Sequence, residues 1–164
     1  MNAIADTRTA PWPRQGLAWL GFVALCFGAG LLGSLFGNTE FYRELVRPSW
    51  APPGWLFGPV WSALYLAMGT AAWLVWRQER GTLRRRALVV FGVQLALNAA
   101  WTPVFFGLEQ IVAALVVLLA NVAAVVAMLT AFSRCSRLAG WLVAPLLAWV
   151  CFAAALNAAI VALN

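Results

Sequence analysis

The most constraining feature of this sequence is a series of apolar segments that are each long enough to cross a lipid bilayer. A helix needs about 20 apolar residues to span the hydrocarbon core. The segments cover about residues 16–36, 55–76, 87–106, 111–132 and 138–163. Of all residues, 64% are hydrophobic and 10% are charged, which excludes an ordinary soluble domain. We therefore predict an all-α membrane protein, with residues 1–164 forming one domain that is a bundle of five transmembrane helices.

The positive charges predict how this bundle is oriented. The sequence has no histidine, and its eleven basic residues are all arginines. With five spans, two of these arginines, Arg43 and Arg47, fall on one side of the membrane. The others share the side of the N-terminus: Arg8, Arg14, Arg77, Arg80, Arg84, Arg85, Arg86, Arg134 and Arg137. The positive-inside rule then predicts a cytoplasmic N-terminus and an external C-terminus in a bacterial inner membrane, and it explains the net charge without nucleic acid.

A stiff segment rich in proline and tryptophan connects the first two spans. Residues 47–61 contain four prolines and three tryptophans. Proline fixes φ and restricts the preceding residue, so Pro48 and the pair Pro52-Pro53 predict an extended chain. Pro59 fits the first turn of a helix. This segment is either a lid that caps an internal cavity or a turn that tryptophans such as Trp50 anchor at the membrane interface.

The third span carries polar side chains at membrane depth, where they are costly and often functional. Gln94, Asn98 and Trp101 follow the spacing i, i+4, i+7, so they share one helical face, and Phe105 continues it. The opposite face is a ladder of small residues: Gly92, Ala96 and Ala100. Such ladders allow close helix packing. We expect a homodimer through this ladder, although the same face would also suit packing inside one chain.

Two further aromatic stripes extend the polar face of the third span into a cavity wall. One is formed by Trp61 and Tyr65 in the second span, and the other by Trp149 and Ala153, with Asn157 beside them, in the fifth. Aromatic stripes are usually packing, but three of them with two amides favour a pocket for a flat, mostly apolar ligand. We predict no catalytic residues, no required cofactor and no metal site, since the sequence lacks a nucleophile–base pair and metal-ligand spacing.

Three blocks in order, covering about residues 20–160, resemble the translocator protein / tryptophan-rich sensory protein (TspO/MBR) family, the peripheral-type benzodiazepine receptors. The first runs from Arg47-Pro48-Ser49-Trp50 through Gly58-Pro59-Val60-Trp61 to Tyr65. The second is Gln94-Leu95-Ala96-Leu97-Asn98 with Trp101-Thr102-Pro103-Val104-Phe105-Phe106-Gly107. The third is Pro145, Ala148-Trp149, Ala153 and Leu156-Asn157. The resemblance implies a five-helix membrane protein, usually dimeric, that binds porphyrins such as protoporphyrin IX and haem.

The resemblance also implies which residues line the pocket and which functions compete. The implied ligand residues are Trp50, Trp61, Tyr65, Asn98, Trp101, Trp149 and Ala153. We expect a receptor or sensor that regulates or buffers tetrapyrrole levels. The alternatives are an enzyme for light-dependent porphyrin degradation, with Trp61 and Trp149 as oxidisable groups, and a passive transporter of porphyrin or sterol-like ligands. We do not expect tight cholesterol binding, because the aromatic-and-basic consensus after Asn157 is missing. Leu146 replaces a tyrosine that the family often has after Pro145, which removes a possible polar contact that would orient the ligand.

Overall fold

The protein is a bundle of long helices, with one short helix packed across one end. The computed structural model describes residues 12–36, 39–78 and 81–164. In chain order the helices are α1 (Trp12–Ser34), the short α2 (Thr39–Glu44), α3 (Phe57–Trp76), α4 (Thr82–Thr102), α5 (Ile111–Cys135) and α6 (Arg137–Leu163). Within these ranges, five regions are long and apolar enough to cross a membrane. The predicted fold class is therefore confirmed.

The five long helices form a closed ring. Helix α1 packs against α3, α3 against α6, α6 against α5, α5 against α4, and α4 closes the ring against α1. The very short turn at residues 107–110 predicts that the spans on either side are antiparallel neighbours, and α4 and α5 do pack against each other. In that connection Glu109 has a φ of 57°, a left-handed conformation that non-glycine residues adopt uncommonly. A ring of helices, unlike two packed layers, leaves space along its axis.

Glycines let the first helix approach its neighbours closely. A Cβ atom on Gly69 of α3 would lie 2.7 Å from the Val23 Cα atom of α1, so the two backbones are nearly in contact. Gly33 of α1 faces α4, where an added Cβ would lie 3.2 Å from the Thr102 Oγ1 atom. In lipid there is no hydrophobic driving force between helices, and small residues at such crossings allow the close van der Waals packing that holds the helices together. Gly33 and Gly37 have the GxxxG spacing that predicts close helix packing, but Gly37 lies outside the described residues.

The segment between α1 and α3 lies over one end of the ring. Phe41, Tyr42, Leu45 and Val46 predict a short amphipathic piece that lies on the membrane surface or over the bundle. Phe41 and Tyr42 of α2 pack on Phe105, so this piece covers the bundle. Pro53 is extended, with φ −64° and ψ 143°, and a short 3-10 turn, Gly54–Leu56, leads into α3. Pro59 occupies the first turn of α3, as predicted. The side chain of Asn164 holds the segment at Val46.

The helix α4, which forms the third span, begins earlier than the sequence predicts. The sequence places Arg84, Arg85 and Arg86 in a loop, but all three lie in the first turns of α4. Arginine is a good helix former, so the helix continues past its apolar part. Arg84 also donates hydrogen bonds to the carbonyl oxygens of Trp76, the last residue of α3, and of Gln78 just after it, at 3.3 and 3.2 Å. These bonds satisfy helix-end carbonyls that would otherwise need water.

Candidate functional site

The axis of the ring holds a cavity with two adjoining compartments. The inner compartment has a volume of about 350 Å³, and the outer compartment, which lies beneath α2, has about 330 Å³. Both values fall within the range of small-molecule sites. The compartments share part of their walls: Phe57, Trp61, Trp101, Thr102 and Ala153. One elongated or flat ligand can therefore contact both.

The inner compartment is built by all five long helices. Helix α1 contributes Phe27, Gly30 and Leu31. The Tyr65 ring of α3 fits against α1 only because Gly30 has no side chain, since an added Cβ would lie 2.8 Å from the Tyr65 Cζ atom. Trp61 stacks on Tyr65 with ring centroids 5.3 Å apart and planes inclined by 30°. The stacked pair presents a fixed aromatic surface to the space beside it.

A chain of side-chain amides supports this wall from behind. The Asn98 Nδ2 group donates to the Tyr65 hydroxyl oxygen at 3.2 Å, and the Asn121 Nδ2 group donates to the Asn98 Oδ1 atom at 3.4 Å. The Gln94 Nε2 group donates to the Asn121 Oδ1 atom at 3.2 Å. These bonds join α3, α4 and α5 and fix the orientation of Tyr65. Asn121, the lone amide of its span, thus hydrogen-bonds two residues of the neighbouring helix α4.

The outer compartment has a second stacked aromatic pair. Trp101 stacks on Phe105 with centroids 5.0 Å apart and planes inclined by 29°. The Trp101 indole N–H donates to the Asn157 Oδ1 atom at 3.2 Å, and the Asn157 Nδ2 group donates to the Ile111 carbonyl oxygen at 3.0 Å. Because these bonds orient Trp101 from α6, its face is fixed toward the cavity. Tyr42 of α2 contributes to the same compartment from above.

The cavity is aromatic and carries no charge in the part of the chain that the structure describes, since neither compartment is lined by Asp, Glu or Arg. Two buried hydrogen-bond donors in its walls have no partner among the described residues, the Trp149 indole nitrogen and the Tyr42 hydroxyl. A buried donor without an acceptor is unfavourable. The site is therefore suited to an apolar ligand that also brings hydrogen-bond acceptors.

Most of the predicted site residues line the cavity. The inner compartment includes Trp61, Tyr65, Asn98, Trp101, Trp149 and Ala153, and the outer compartment adds Phe105 and Asn157. Gln94 lies outside both, because it is fully buried behind Asn98 and bonded to Asn121. Trp50 also lies outside, with 49% of its surface exposed and its ring edge-to-face against Phe152 at 5.9 Å. The aromatic roof of the outer compartment is instead Tyr42.

Sequence reasoning missed two parts of the wall. The contribution of α1 was not predicted, because its lining residues form no polar or aromatic pattern; the available signal was Gly30, a small residue inside an apolar helix. The sequence places Tyr42 in the short amphipathic piece and not among the site residues. Its available signal was a polar hydroxyl on the apolar face of that piece. Leu146, the departure noted after Pro145, is buried in the helix core and lines neither compartment.

A closed ring of membrane-length helices around an aromatic chamber defines a multi-pass helical membrane protein with an internal small-molecule-sized cavity. The TspO/MBR family profile matches residues 22–163. A translocator protein from Homo sapiens is 44% identical over 154 residues, which cover 90% of this chain and 88% of that protein. A tryptophan-rich protein TspO from Chlorobaculum tepidum is 39% identical over 149 residues, or 87% and 92% of the two chains. A tryptophan-rich sensory protein from Cereibacter sphaeroides is 37% identical over 146 residues, or 89% and 90%. The chain belongs to the TspO/MBR family.

Proposed function

We propose that this protein is a membrane receptor or sensor that binds a tetrapyrrole, protoporphyrin IX or haem, in the two-compartment cavity and thereby regulates or buffers tetrapyrrole levels. The observation that carries the proposal is the pair of stacked aromatic walls, Trp61 on Tyr65 and Trp101 on Phe105, in one uncharged cavity. Flat faces of this kind favour a planar aromatic ligand over a flexible aliphatic one. The names of the relatives, translocator and sensory protein, agree with a role in ligand handling.

Titration of the purified protein with protoporphyrin IX tests this proposal through tryptophan fluorescence. Saturable quenching is expected for the wild type. Ala153→Phe is expected to abolish it, because Ala153 lies in the wall that both compartments share and a benzyl group fills that space. Trp55→Phe is the matched control, since Trp55 is 72% exposed and lines neither compartment. Absence of saturable quenching in a folded wild-type protein, with helix content verified by circular dichroism, rules the proposal out.

Light-dependent porphyrin degradation is the second candidate function, and one observation favours it. Trp61 and Trp149, the two expected oxidisable indoles, line the same inner compartment. Illumination of the porphyrin complex distinguishes a receptor from an enzyme. An enzyme is indicated if each protein molecule forms many product molecules and if Trp149→Phe loses this turnover while it still binds porphyrin. A receptor is indicated if the bound porphyrin bleaches at the same rate as free porphyrin.

We also propose that two chains associate through α4. Gly92, Ala96 and Ala100 are exposed in the single chain, and an added Cβ on Gly92 would meet nothing within 4 Å. This small-residue ladder therefore has no partner from the described part of its own chain and suits a second copy. An Ala96→Cys variant in membranes is expected to form a disulfide-linked dimer on oxidation. Ala120→Cys on the exposed face of α5 is the control, and equal cross-linking of both variants refutes the α4 interface.

The charge distribution supports the expected orientation. The end of the bundle where α1 begins carries Arg14, Arg77, Arg134, Arg137 and the arginines of α4, whereas the opposite end carries Arg43 and Arg47. Arg8 and Arg80 lie outside the described residues. We propose that the arginine-rich end faces the cytoplasm. Membrane-impermeant thiol labelling of Ser49→Cys in intact spheroplasts, with labelling of Ser136→Cys only after lysis, tests this topology, and the reverse pattern contradicts it.

A further inference from the structure

The roof of the outer compartment contains a hydrogen-bond donor for which the described residues provide no acceptor. Tyr42 of α2 packs its ring on Phe105 and Phe106, with centroids 6.4 and 5.9 Å away. Its hydroxyl is buried and has no hydrogen-bond partner within the described ranges. A phenol at this position costs more to bury than a phenylalanine, which would make the same apolar contacts. The hydroxyl is therefore a candidate for contact with a ligand.

The polar groups of Trp101 and Asn157 in the same compartment have partners. The Trp101 indole N–H donates to Asn157, and the Asn157 amide donates to the Ile111 carbonyl oxygen. Tyr42 is thus the residue of this compartment whose buried polar atom lacks a partner in the part of the chain described. A ligand that occupies the compartment satisfies the hydroxyl only by presenting an oxygen or nitrogen acceptor there.

A positive charge lies next to this donor. The Arg47 guanidinium carbon is 5.1 Å from the centroid of the Tyr42 ring, in a cation–π arrangement. Arg47 is exposed, so it lies on the outer side of the roof. A guanidinium over the ring of Tyr42 favours an anionic acceptor near that ring over a neutral one, because charge-assisted hydrogen bonds are the stronger ones. Arg47 lines neither compartment, so its charge acts on the outer compartment from beyond the Tyr42 ring.

We propose that Tyr42 is a specificity-determining residue that donates a hydrogen bond to an acceptor at the outer end of the ligand, and that Arg47 makes a carboxylate the preferred acceptor. This inference rests on the proposed function. It gives the tetrapyrrole a direction in the cavity, with the carboxylate edge of the macrocycle under α2 and the apolar edge in the inner compartment. It also predicts that porphyrins are distinguished by their side chains and not only by their ring.

Three porphyrins that share the ring and differ in acceptors test the inference. Protoporphyrin IX has two carboxylates, its dimethyl ester keeps the carbonyl oxygens without charge, and octaethylporphyrin has neither. Tyr42→Phe is expected to lower the affinity for protoporphyrin IX about tenfold or more and the affinity for the ester by a few-fold. The affinity for octaethylporphyrin is expected to stay the same. Arg47→Gln is expected to lower the affinity for protoporphyrin IX and to leave the affinities for the other two porphyrins unchanged. Trp55→Phe is the control and affects none of them.

The pattern of results separates the inference from the proposed function. If Tyr42→Phe binds protoporphyrin IX like the wild type, or loses all three porphyrins equally, Tyr42 does not recognise an acceptor, and the inference is overturned while porphyrin binding stands. If the folded wild type binds none of the three saturably, both the proposed function and the inference fail. Selective loss of the carboxylate porphyrin in both variants supports the inference.

Discussion

The side chain of Asn164 hydrogen-bonds both backbone groups of Val46. Its Oδ1 atom accepts from the Val46 amide N–H at 3.0 Å, and its Nδ2 group donates to the Val46 carbonyl oxygen at 3.0 Å. An asparagine side chain can form both hydrogen bonds without carrying a charge, because its amide has one acceptor oxygen and a donor NH2 group. The end of α6 therefore fixes the segment that carries Tyr42 over the outer compartment.

Removing this amide is expected to loosen the covering segment. Asn164→Ala deletes both hydrogen bonds, each worth about 0.5–1.5 kcal/mol, so amide exchange at residues 42–50 is expected to rise about tenfold. Hydrogen exchange with mass spectrometry measures it. Asn164→Asp keeps the acceptor and loses the donor, and is expected to give an intermediate rate. Unchanged exchange in Asn164→Ala shows that packing alone holds the segment.

The close crossing of α1 and α3 depends on Gly69. Gly69→Ala places a methyl group 2.7 Å from the Val23 Cα atom, where only a backbone shift relieves the clash, so the helices must separate. Overpacking of this kind costs about 1–3 kcal/mol. Thermal unfolding in detergent is expected to show a lower midpoint. Gly21→Ala is the matched control on α1, because its added Cβ meets nothing within 4 Å, and a comparable loss there contradicts the crossing.

The buried amide chain behind the cavity gives a prediction on stability. Asn121→Leu removes the partner of both Gln94 and Asn98, and unsatisfied buried amides cost about 1–3 kcal/mol each. A further Gln94→Leu change in the same protein is expected to recover part of this loss, because it removes one of the unpaired amides. Chemical unfolding of the single and double variants measures the coupling. Strictly additive losses show that Gln94 and Asn121 do not interact.

The contact between Gly30 and Tyr65 links helix packing to ligand affinity. Gly30→Ala places a methyl group against the Tyr65 ring and displaces it from Asn98, which narrows the inner compartment. Porphyrin affinity is expected to fall at least about fivefold, since one hydrogen bond and part of the stacked wall are lost. Gly28→Ala, with open space around its added Cβ, is expected to bind like the wild type. Equal affinities of both variants argue against ligand binding in the inner compartment.

The fold was predictable because the membrane leaves few options. Continuous apolar runs must be helices in lipid, and the short turn at Gly107–Gln110 fixed α4 beside α5. The amide-bearing face of α4 and the stripes of Trp61 and Trp149 pointed to one cavity, since the spacing of each set placed it on one helical face. These inferences needed only local periodicity.

The remaining features depend on which helices meet. Gln94 is buried behind Asn98 because it is bonded to Asn121 on α5. The periodicity of α4 alone cannot predict this contact with another helix. Trp50 packs against the outside of α6, and Tyr42 covers the cavity in its place, because the path of the extended prolines decides which aromatic ring points inward. Gly30 lies against Tyr65 in the cavity wall, and a pattern within α1 cannot predict this contact because Tyr65 is 35 positions away in the sequence.

The order of helices around the ring bears on biosynthesis. Helices α4, α5 and α6 follow one another in sequence and in space, whereas α3 meets α6 across the longest separation among neighbouring helices of the ring. Because Trp149 and Ala153 belong to α6, the chamber has no complete wall until this helix has left the ribosome and inserted. A nascent chain that stops before α6 has membrane helices but nowhere to hold a ligand.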